Sequence, residues 1–335
     1  MTEYAKKSPG EKKITMLKGN PVKISGTGKY IPEKIMTNFD FEKIIETSDE
    51  WIVERTGIKK RHFASEEQRC RDLAAKAGAA ALEDAKLSPE DIDLVIVATN
   101  SPDDLCPSVA AHVHGMLGTT KAGAYDVIAG CTGSLTAMLT AIGGISSGLW
   151  NHVLVIGAED FAHVIDWTDR STCILFGDGA GACVLSRAEE GEGHFLAGKI
   201  TADGSKADYI DFQPDPVHGG LKVCMKGSAV FKYVIATLPA FIRDFCEEAG
   251  VAPAEVDFWL LHQANTRIID GLFKRLGVPT DRTLTNLENY GNTSSASLMI
   301  TLDEAMKAGR LRRGEKTLFT AFGAGMTIGA LLYEA

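Results

Sequence analysis

The sequence predicts an α/β protein in which two similar units share a central layer of buried helices. Short apolar runs of strand length alternate with helical patterns along the chain, which is typical of α/β folds. Residues 87–97 (LSPEDIDLVIV) correspond position for position to residues 251–261 (VAPAEVDFWLL), at an offset of 164 (257 minus 93). Residues 152–157 and 316–321 correspond at the same offset. Two matches at one spacing indicate a duplicated unit.

Composition places the chain among ordinary globular enzymes. A length of 335 residues suits two domains or two fused halves. The formal charge of −9 argues against general nucleic-acid binding, and no apolar run approaches the length of a membrane helix. Seven cysteines without a CxxC pair indicate free thiols in a reducing compartment, and residues 1–13 lack the apolar core of a secretory signal. We therefore expect a cytoplasmic protein.

The chain order begins with a segment that has little to bury. Residues 1–20 are rich in Lys, Ser, Pro, Gly and Glu, so we expect a disordered tail. A polar stretch at 187–193 divides the remainder into an N-terminal half, 21–190, and a C-terminal half, 191–335.

The first half opens with one strand and two short helices. Residues 22–28 alternate as a strand that runs into a glycine turn, and residues 39–45 have the pattern of a short amphipathic helix. Thr47 or Ser48 is expected to cap the next helix, because acidic residues follow in its first turn.

Longer elements surround the repeat. Alanine-rich or amphipathic helices at 71–84 and 233–248 precede its two copies, and residues 92–99 read as a strand covered on both faces. Residues 134–150 carry no charge, so we expect a helix enclosed on every side by protein. Residues 294–308 are its counterpart in the second half.

Cys131 lies where a strand pattern at 124–128 meets the uncharged helix. Unpaired amides in the first turn of a helix favour an anion, so we expect them to lower the pKa of the thiol and to make Cys131 a nucleophile. A free cysteine is also commonly a small buried hydrophobe, and the local sequence leaves both alternatives open. No such setting surrounds the other six cysteines: Cys70, Cys106, Cys173, Cys183, Cys224 and Cys246.

Two polar residues of the second half stand at comparable junctions. His262 directly follows the apolar strand pattern at 258–261, and Asn292 precedes a helix. Either one alone is more often a core histidine or a helix cap, but together with Cys131 they form a nucleophile, an imidazole and a carboxamide. The glycine-rich turn at 322–326 either supplies an oxyanion donor or only makes a tight connection.

Five motifs in a fixed order carry a family resemblance. They are GCTG at 130–133, FGDGAGA at 176–182, HQAN at 262–265, GNTS at 291–294 and AFGAG at 321–325. With TSDEWIVERTGI at 47–58, the chain resembles 3-oxoacyl-[acyl-carrier-protein] synthase III of the thiolase superfamily over about residues 22–335. The resemblance implies a thiolase-like, five-layer α-β-α-β-α fold.

The resemblance also implies catalytic roles. Cys131 would accept an acyl group from acyl-CoA, and His262 and Asn292 would stabilise the enolate formed when malonyl-carrier protein loses carbon dioxide. The amides of Cys131 and Ala324 would hold the tetrahedral oxyanion. Acyl-CoA is then a substrate, and no cofactor or metal is expected.

Binding residues follow from the same resemblance. The CoA site would comprise Thr47, Trp51, Arg55, Arg170 and Asn265, with the adenine between Trp51 and Arg170. An acidic carrier protein would need a local basic patch on this acidic chain, and the matching residues are Lys232, Arg267, Lys274 and Arg275. The family is typically homodimeric.

Two departures from the family pattern concern the acyl pocket. Cys106 stands where an aromatic residue often reaches into the neighbouring subunit, and Ser134 stands where a larger apolar residue is frequent. Both smaller side chains favour a primer that is longer or branched. Four other residues of the expected pocket could refill the space: Phe161, Phe176, Val223 and Met225.

Other functions are less well supported by the sequence. The glycines at 177–181 precede a strand pattern and so fail as a dinucleotide fingerprint, and His112 and His114 point apart on a helix and are poor metal ligands. The local cysteine signature of papain-like proteases is missing. Two alternatives stay open: a relative that transfers the acyl group from Cys131 to an alcohol or amine, and a non-catalytic scaffold that binds carrier protein.

Overall fold

The computed structural model describes residues 16–216 and 220–335. The strands are β1 (Val22–Tyr30), β2 (Lys34–Thr37), β3 (Lys60–Phe63), β4 (Leu94–Ala98), β5 (Gly123–Val127), β6 (His152–Glu159), β7 (Gly179–Arg187), β8 (His194–Ala202), β9 (Ile210–Pro214), β10 (Leu221–Met225), β11 (Phe258–Leu261), β12 (Lys316–Gly323) and β13 (Thr327–Glu334). The helices are α1 (Asn38–Phe41), α2 (Asp49–Thr56), α3 (Cys70–Ala85), α4 (Val109–Leu117), α5 (Gly133–Ser146), α6 (Gly227–Glu248), α7 (Thr266–Leu276), α8 (Leu287–Tyr290) and α9 (Ser295–Lys307).

Two mixed sheets have the same strand order. The first runs β1-β7-β6-β4-β5 and the second runs β8-β13-β12-β11. In both, the first three strands are antiparallel neighbours and the next pair is parallel. A bridge between Trp259 and Thr283 occupies the place in the second sheet that β5 takes in the first. The predicted duplication is therefore visible as two copies of one sheet topology.

A central layer of helices lies between the sheets. Helix α5 contacts β4, β6 and β7 of the first sheet and β8, β12 and β13 of the second, while α9 contacts β1, β6, β7 and β11. Their apolar residues join the facing sides of both sheets in one core. Helices α3 and α4 cover the outer face of the first sheet, and α6 and α7 cover that of the second. The order is the expected α-β-α-β-α.

The uncharged helix differs from its prediction in two respects. It ends at Ser146, because the chain turns at Gly148 (φ 82°) and packs the ring of Trp150 on Gly144. It is also not enclosed on every side, since Thr140 and Gly143 are exposed. Its first two turns, next to Cys131, are the most buried part.

The predicted N-terminal tail and first helix also need correction. Residues 1–15 lie outside the described residues, whereas residues 16–20 lie against the second sheet, where the amide of Leu17 donates to the carbonyl of Leu196. Helix α1 is shorter than the predicted helix at 39–45; the chain continues in turns, in which Ile44 is exposed and Ile45 packs against the apolar cluster around Phe41.

A cap of irregular structure covers one end of the central layer. The antiparallel pair β2–β3, the β9–β10 hairpin and α2 surround a cluster of buried apolar residues that includes Phe41, Ile52, Phe161 and Phe176. Ser48 caps α2 by accepting the amide of Trp51, as one of the two predicted caps. Among the residues described, no helix combines the length and apolar character needed to cross a membrane.

Candidate active site

A cavity of about 460 Å³ runs from the surface under this cap to the central helices. Cys131, His262 and Asn292 all line it, together with Gly323 and Ala324. The three residues singled out in the sequence therefore share one enclosed space. A wider hollow of about 700 Å³ lies at the start of α6, but none of these residues lines it.

Cys131 occupies a 3-10 turn, Gly130–Thr132, that leads directly into α5. Its thiol is free and partly buried, and its Sγ atom lies 3.3 Å from the Oγ atom of Ser294. Burial raises the pKa of the thiol to about 12, a hydrogen bond from Ser294 opposes that shift, and the charge of Glu159 adds to it. The expectation of a lowered pKa is wrong, because desolvation at the cavity floor outweighs the helix-end amides.

A glycine allows the turn after β12 to reach the nucleophile. A Cβ atom on Gly323 would lie 2.5 Å from the amide nitrogen of Cys131, and one on Gly130 would lie 2.6 Å from the amide nitrogen of Ala324. The backbones that carry the two predicted oxyanion amides are thus packed against each other, which only glycine permits at these positions.

His262 follows β11, and its amide continues the ladder by donating to the carbonyl of Thr320. The residue is 2% exposed, and burial lowers the pKa of its imidazole to about 3. Its Nδ1 atom lies 2.6 Å from the Oγ atom of Ser297, which already accepts the amide of Gln263. The Ser297 hydroxyl has no other acceptor among the described residues, so it donates to Nδ1. The imidazole is therefore neutral and carries its proton on Nε2.

Asn292 is fixed by backbone and side chain. Its amide donates to the carbonyl of Leu175, and the residue forms a bridge with Phe176. Its Oδ1 atom accepts the amide of Ser294 at 2.8 Å. Because the carboxamide oxygen is engaged with the backbone, the Nδ2 group is the part left to act as a donor in the cavity.

Two polar residues near the nucleophile were missed in the sequence. Glu159 ends β6 and is fully buried, and Asn100 follows β4 and lines the cavity. The Asn100 Nδ2 group donates to Glu159 at 2.7 Å and to Ser294 at 3.2 Å. The repeat could have indicated Asn100. The residues that follow β4 in the first copy correspond to the residues that begin at His262 in the second copy.

Three of the predicted CoA residues, Trp51, Arg55 and Asn265, line the cavity, whereas Thr47 and Arg170 do not. The guanidinium groups of Arg55 and Arg170 lie 4.7 and 4.9 Å from the Trp51 ring centroid. Asn265 caps α7 and donates to the carbonyl of Arg55 at 2.8 Å. The Thr47 hydroxyl oxygen is buried and has no hydrogen-bond partner among the described residues.

The predicted basic residues lie on the two neighbouring helices α6 and α7. Lys232 is on α6, and the Arg267 guanidinium at the start of α7 lies 5.3 Å from the ring of Phe231, the residue next to Lys232. Lys274 and Arg275 are in the last turn of α7, about two turns after Arg267. All four are exposed.

The inner wall of the cavity is apolar. Phe161, Phe176, Val223 and Met225 line it, with the rings of Phe161 and Phe176 stacked at 4.6 Å. Cys106 does not line the cavity of its own chain and lies exposed in the loop before α4. Four of the expected pocket residues therefore lie together, whereas Cys106 and Ser134 do not line the cavity. The Ser134 hydroxyl is buried between the central helices, where it donates to the carbonyl of Ser295, so its small size opens no space in this cavity.

Comparison with known proteins gives one consistent result. Residues 125–204 match the family model described as 3-oxoacyl-[acyl-carrier-protein] synthase III, and residues 246–335 match its C-terminal model. A beta-ketoacyl-[acyl-carrier-protein] synthase III of Caldanaerobacter subterraneus subsp. tengcongensis is 45% identical over 91% of this chain and 95% of its own.

Solved structures agree with these matches. The 3-oxoacyl-[acyl-carrier-protein] synthase III of Aquifex aeolicus VF5 is 44% identical, covers 94% of this chain and 100% of its own, and superposes with a TM-score of 0.89. The priming beta-ketosynthase of the R1128 polyketide pathway is 33% identical over 95% of this chain and 97% of its own, also with a TM-score of 0.89.

Proposed function

The chain belongs to the 3-oxoacyl-[acyl-carrier-protein] synthase III family of condensing enzymes, and from this membership we propose how its own residues carry out the reaction. It is an acyltransferase that initiates fatty acid synthesis by decarboxylative condensation of an acyl primer with malonyl-carrier protein. The observation that carries the assignment of roles is the shared cavity of Cys131, His262 and Asn292.

The first half-reaction acylates Cys131. The Cys131 thiol loses its proton to solvent, and the thiolate attacks the carbonyl carbon of acyl-CoA. The carbon–sulfur bond to CoA then breaks, and the CoA thiolate leaves and takes up a proton from solvent. Ala324 and Cys131 supply backbone amides at the point where the carbonyl oxygen becomes negative. The neutral imidazole of His262 already carries a proton on Nε2, so it does not serve as the base for the thiol.

The second half-reaction generates a carbanion. Malonyl-carrier protein loses carbon dioxide, and the electron pair of the broken bond moves onto the thioester oxygen as an enolate. The Nε2 proton of His262 and the Nδ2 group of Asn292 donate to that oxygen. Two neutral donors fit this step because they stabilise a developing negative charge without giving up a proton. No cofactor enters this chemistry.

Condensation then returns the nucleophile. The carbanion attacks the acyl carbon on Cys131, the carbon–sulfur bond of the acyl-enzyme breaks, and Cys131 leaves as a thiolate. The product is a 3-oxoacyl chain on the carrier protein. Each donor in this reaction is needed only at the step in which negative charge develops. A hydrogen bond that is stronger in the transition state than in the ground state accelerates that step.

The primer is proposed to be longer than acetyl or branched. The inner cavity has an apolar wall made by Phe161, Phe176, Val223 and Met225. The small side chain of Cys106 leaves the partner's pocket unfilled if its loop crosses a dimer interface. The carrier protein is proposed to dock on Lys232, Arg267, Lys274 and Arg275, since Arg267 lines the cavity and all four are exposed cations on the neighbouring helices α6 and α7.

The assembly is proposed to be a homodimer joined at β5. This strand is at the edge of the first sheet, and its outer side has no strand partner among the described residues. Three apolar residues outside the strand are also exposed: Ile128, directly after β5, by 69%, Met116 on α4 by 52%, and Leu105 in the loop before α4 by 96%. An exposed apolar edge strand favours pairing with a second copy across a twofold axis. The seven free thiols suit the cytoplasm, where we place the enzyme.

The test uses the purified protein and intact-mass measurement. We expect a panel of short, branched and longer acyl-CoAs to add one acyl group to the protein, and Cys131→Ala to abolish the adduct. Malonyl-carrier protein should then yield carbon dioxide and 3-oxoacyl-carrier protein. An acylated protein that transfers its acyl group to an alcohol or amine without decarboxylation would contradict the condensing assignment.

A further inference from the structure

Ser294 has a backbone conformation that normally belongs to glycine. Its φ and ψ angles are 46° and −117°, the values of the first central residue of a type II′ turn. Only Ser294 and Lys86 have a positive φ among the non-glycine residues that the structure describes. A side chain at this φ is strained, and such strain is retained where the side chain has a task.

The hydroxyl of Ser294 has a defined direction. Its Oγ atom lies 3.2 Å from the Asn100 Nδ2 group and 3.3 Å from the Sγ atom of Cys131. The Nδ2 group can only donate, so Ser294 accepts from Asn100. Within residues 16–216 and 220–335, the sulfur of Cys131 is then the one remaining acceptor for the hydroxyl proton.

Asn100 is in turn held by Glu159. The Glu159 Oε1 atom accepts from Asn100 Nδ2 at 2.7 Å and from the Ser295 hydroxyl at 2.7 Å. Its Oε2 atom accepts from the Ser101 hydroxyl at 2.7 Å and from the Asn100 amide at 3.0 Å. Both protons of the Asn100 carboxamide are thereby engaged, so the group cannot rotate without losing a buried hydrogen bond.

We propose that Ser294 is a further catalytic residue, which donates a hydrogen bond to the thiolate of Cys131, and that Asn100 and Glu159 are positioning residues that aim it. The inference rests on the proposed function, because that reaction both begins and ends with Cys131 as a thiolate. A hydroxyl donor at 3.3 Å stabilises the attacking sulfur in acylation and the leaving sulfur in condensation.

The surroundings of the thiol explain why such a donor matters. Burial and the charge of Glu159 disfavour the thiolate, while the hydrogen bond from Ser294 favours it. His262 is the other titratable group in this part of the cavity, and its neutral imidazole brings no positive charge. Ser294 is the one side chain that the structure shows bonded to the sulfur.

The test measures the thiolate directly, without substrate. Iodoacetamide alkylation of Cys131 is followed by peptide mass at pH 8.5 in the full-length protein, in Ser294→Ala and in Ser294→Gly. We expect both variants to react about tenfold more slowly, as the loss of a hydrogen bond to a charged group requires. Ser294→Gly should unfold at a higher temperature than Ser294→Ala, because glycine relieves the strain.

The pair separates the hydroxyl from the backbone. If Ser294→Gly keeps the wild-type rate while Ser294→Ala loses it, the strain and not the hydroxyl acts on Cys131, and the proposal is overturned. Wild-type rates in both folded variants overturn it equally. Ser147→Ala, which removes a hydroxyl at the far end of α5, is the matched control and should react like the wild type.

A double-mutant cycle tests the positioning residues. Asn100→Ala should slow alkylation in the wild-type background and change nothing further in Ser294→Ala. If Asn100→Ala slows alkylation by the same factor in the Ser294→Ala protein as in the wild type, Asn100 does not act through Ser294. Acylation of Cys131 by acyl-CoA is measured in parallel, which keeps the two proposals distinct. A protein that shows these alkylation effects but is never acylated on Cys131 would refute the condensing function and leave the role of Ser294 intact.

Discussion

The Nδ1 atom of His262 lies 2.6 Å from the hydroxyl of Ser297, one turn into α9. Because that hydroxyl also accepts the amide of Gln263, its proton goes to the imidazole and leaves the Nε2 proton for the cavity. One helix of the second half thus sets the tautomer of a histidine at the end of a strand. The donor that decarboxylation needs depends on this pair.

Ser297→Ala should therefore impair decarboxylation more than acylation. Without the hydroxyl, the neutral imidazole can place its proton on Nδ1 and lose the donor on Nε2. Removing an oxyanion donor costs about 10²–10³-fold in rate, so we expect a loss of about tenfold or more, below that of His262→Ala. Carbon dioxide release from malonyl-carrier protein measures it.

Thr301→Val is the control for this prediction. It removes a buried hydroxyl one turn further along α9, where it donates to the Ser297 carbonyl and touches no catalytic side chain. We expect nearly normal carbon dioxide release from this variant. Equal losses in both variants would mean that α9 had merely shifted, and wild-type release from Ser297→Ala would refute the tautomer assignment.

The thiol of Cys131 gives a second prediction through its pH dependence. Since burial raises its pKa to about 12, the thiolate fraction grows about tenfold for each pH unit below that value. Alkylation of Cys131 by iodoacetamide should thus rise steadily from pH 6 to pH 9. A plateau between pH 6 and pH 8 would show instead a thiol activated by the end of α5.

The burial of neutral His262 predicts that the free energy of unfolding falls in acid. Its folded pKa is about 3, below the ordinary 6.5, so above pH 6.5 neither state binds the proton and the full stability is present. Below pH 6.5 the unfolded state is protonated first, and stability falls until about pH 3. The free energy of unfolding of the wild type should fall relative to that of His262→Gln by about 1.4 kcal/mol per pH unit. Parallel curves for the two proteins would contradict the buried neutral state.

The sequence predicted the parts of the site that depend on local pattern. Cys131, His262 and Asn292 each stand where an element begins or ends. At the repeat offset of 164, Cys131 also corresponds to position 295 (131 plus 164), close to Asn292. Strand β4 and helix α3 lie within two residues of their predicted bounds. Both were predicted from adjacent residues, a run of consecutive apolar residues for β4 and an alanine-rich segment for α3.

What the sequence could not predict depends on distant contacts. Glu159 meets Asn100 across 59 residues, and Asn100 meets Ser294 across 194 residues, so no local pattern marks them as partners. The pKa of Cys131 was predicted in the wrong direction for the same reason. The amides that favour its thiolate are local, whereas the burial and the Glu159 charge that oppose it come from other elements.

Gly323→Ala should disable the oxyanion site while the fold is kept. The new Cβ atom would lie 2.5 Å from the Cys131 amide nitrogen and 3.2 Å from its Cβ atom, so the two backbones must separate. We expect acylation by acyl-CoA to slow by about 10²-fold, as loss of one donor does. Gly143→Ala, in open space on α5, is the control and should acylate normally and unfold at a higher temperature. Comparable acylation rates in the two variants would rule out the amide pair.

Arg170→Ala should weaken nucleotide recognition without touching the chemistry. The Arg170 guanidinium lies 4.9 Å from the Trp51 ring centroid and donates to the Glu46 carbonyl at 2.8 Å. A base stacked between the two groups needs about 7 Å, twice an ordinary contact distance, so Trp51 and Arg170 must move apart when the adenine binds. Stacking on a base is worth about 1–3 kcal/mol, and we expect the KM for acyl-CoA to rise about tenfold with kcat unchanged. Acyl-pantetheine, which lacks the adenosine, should show the same KM with both proteins. An equal rise in KM for this truncated substrate would mean that Arg170 acts on the acyl or pantetheine part and would remove the case for an adenine site between Trp51 and Arg170.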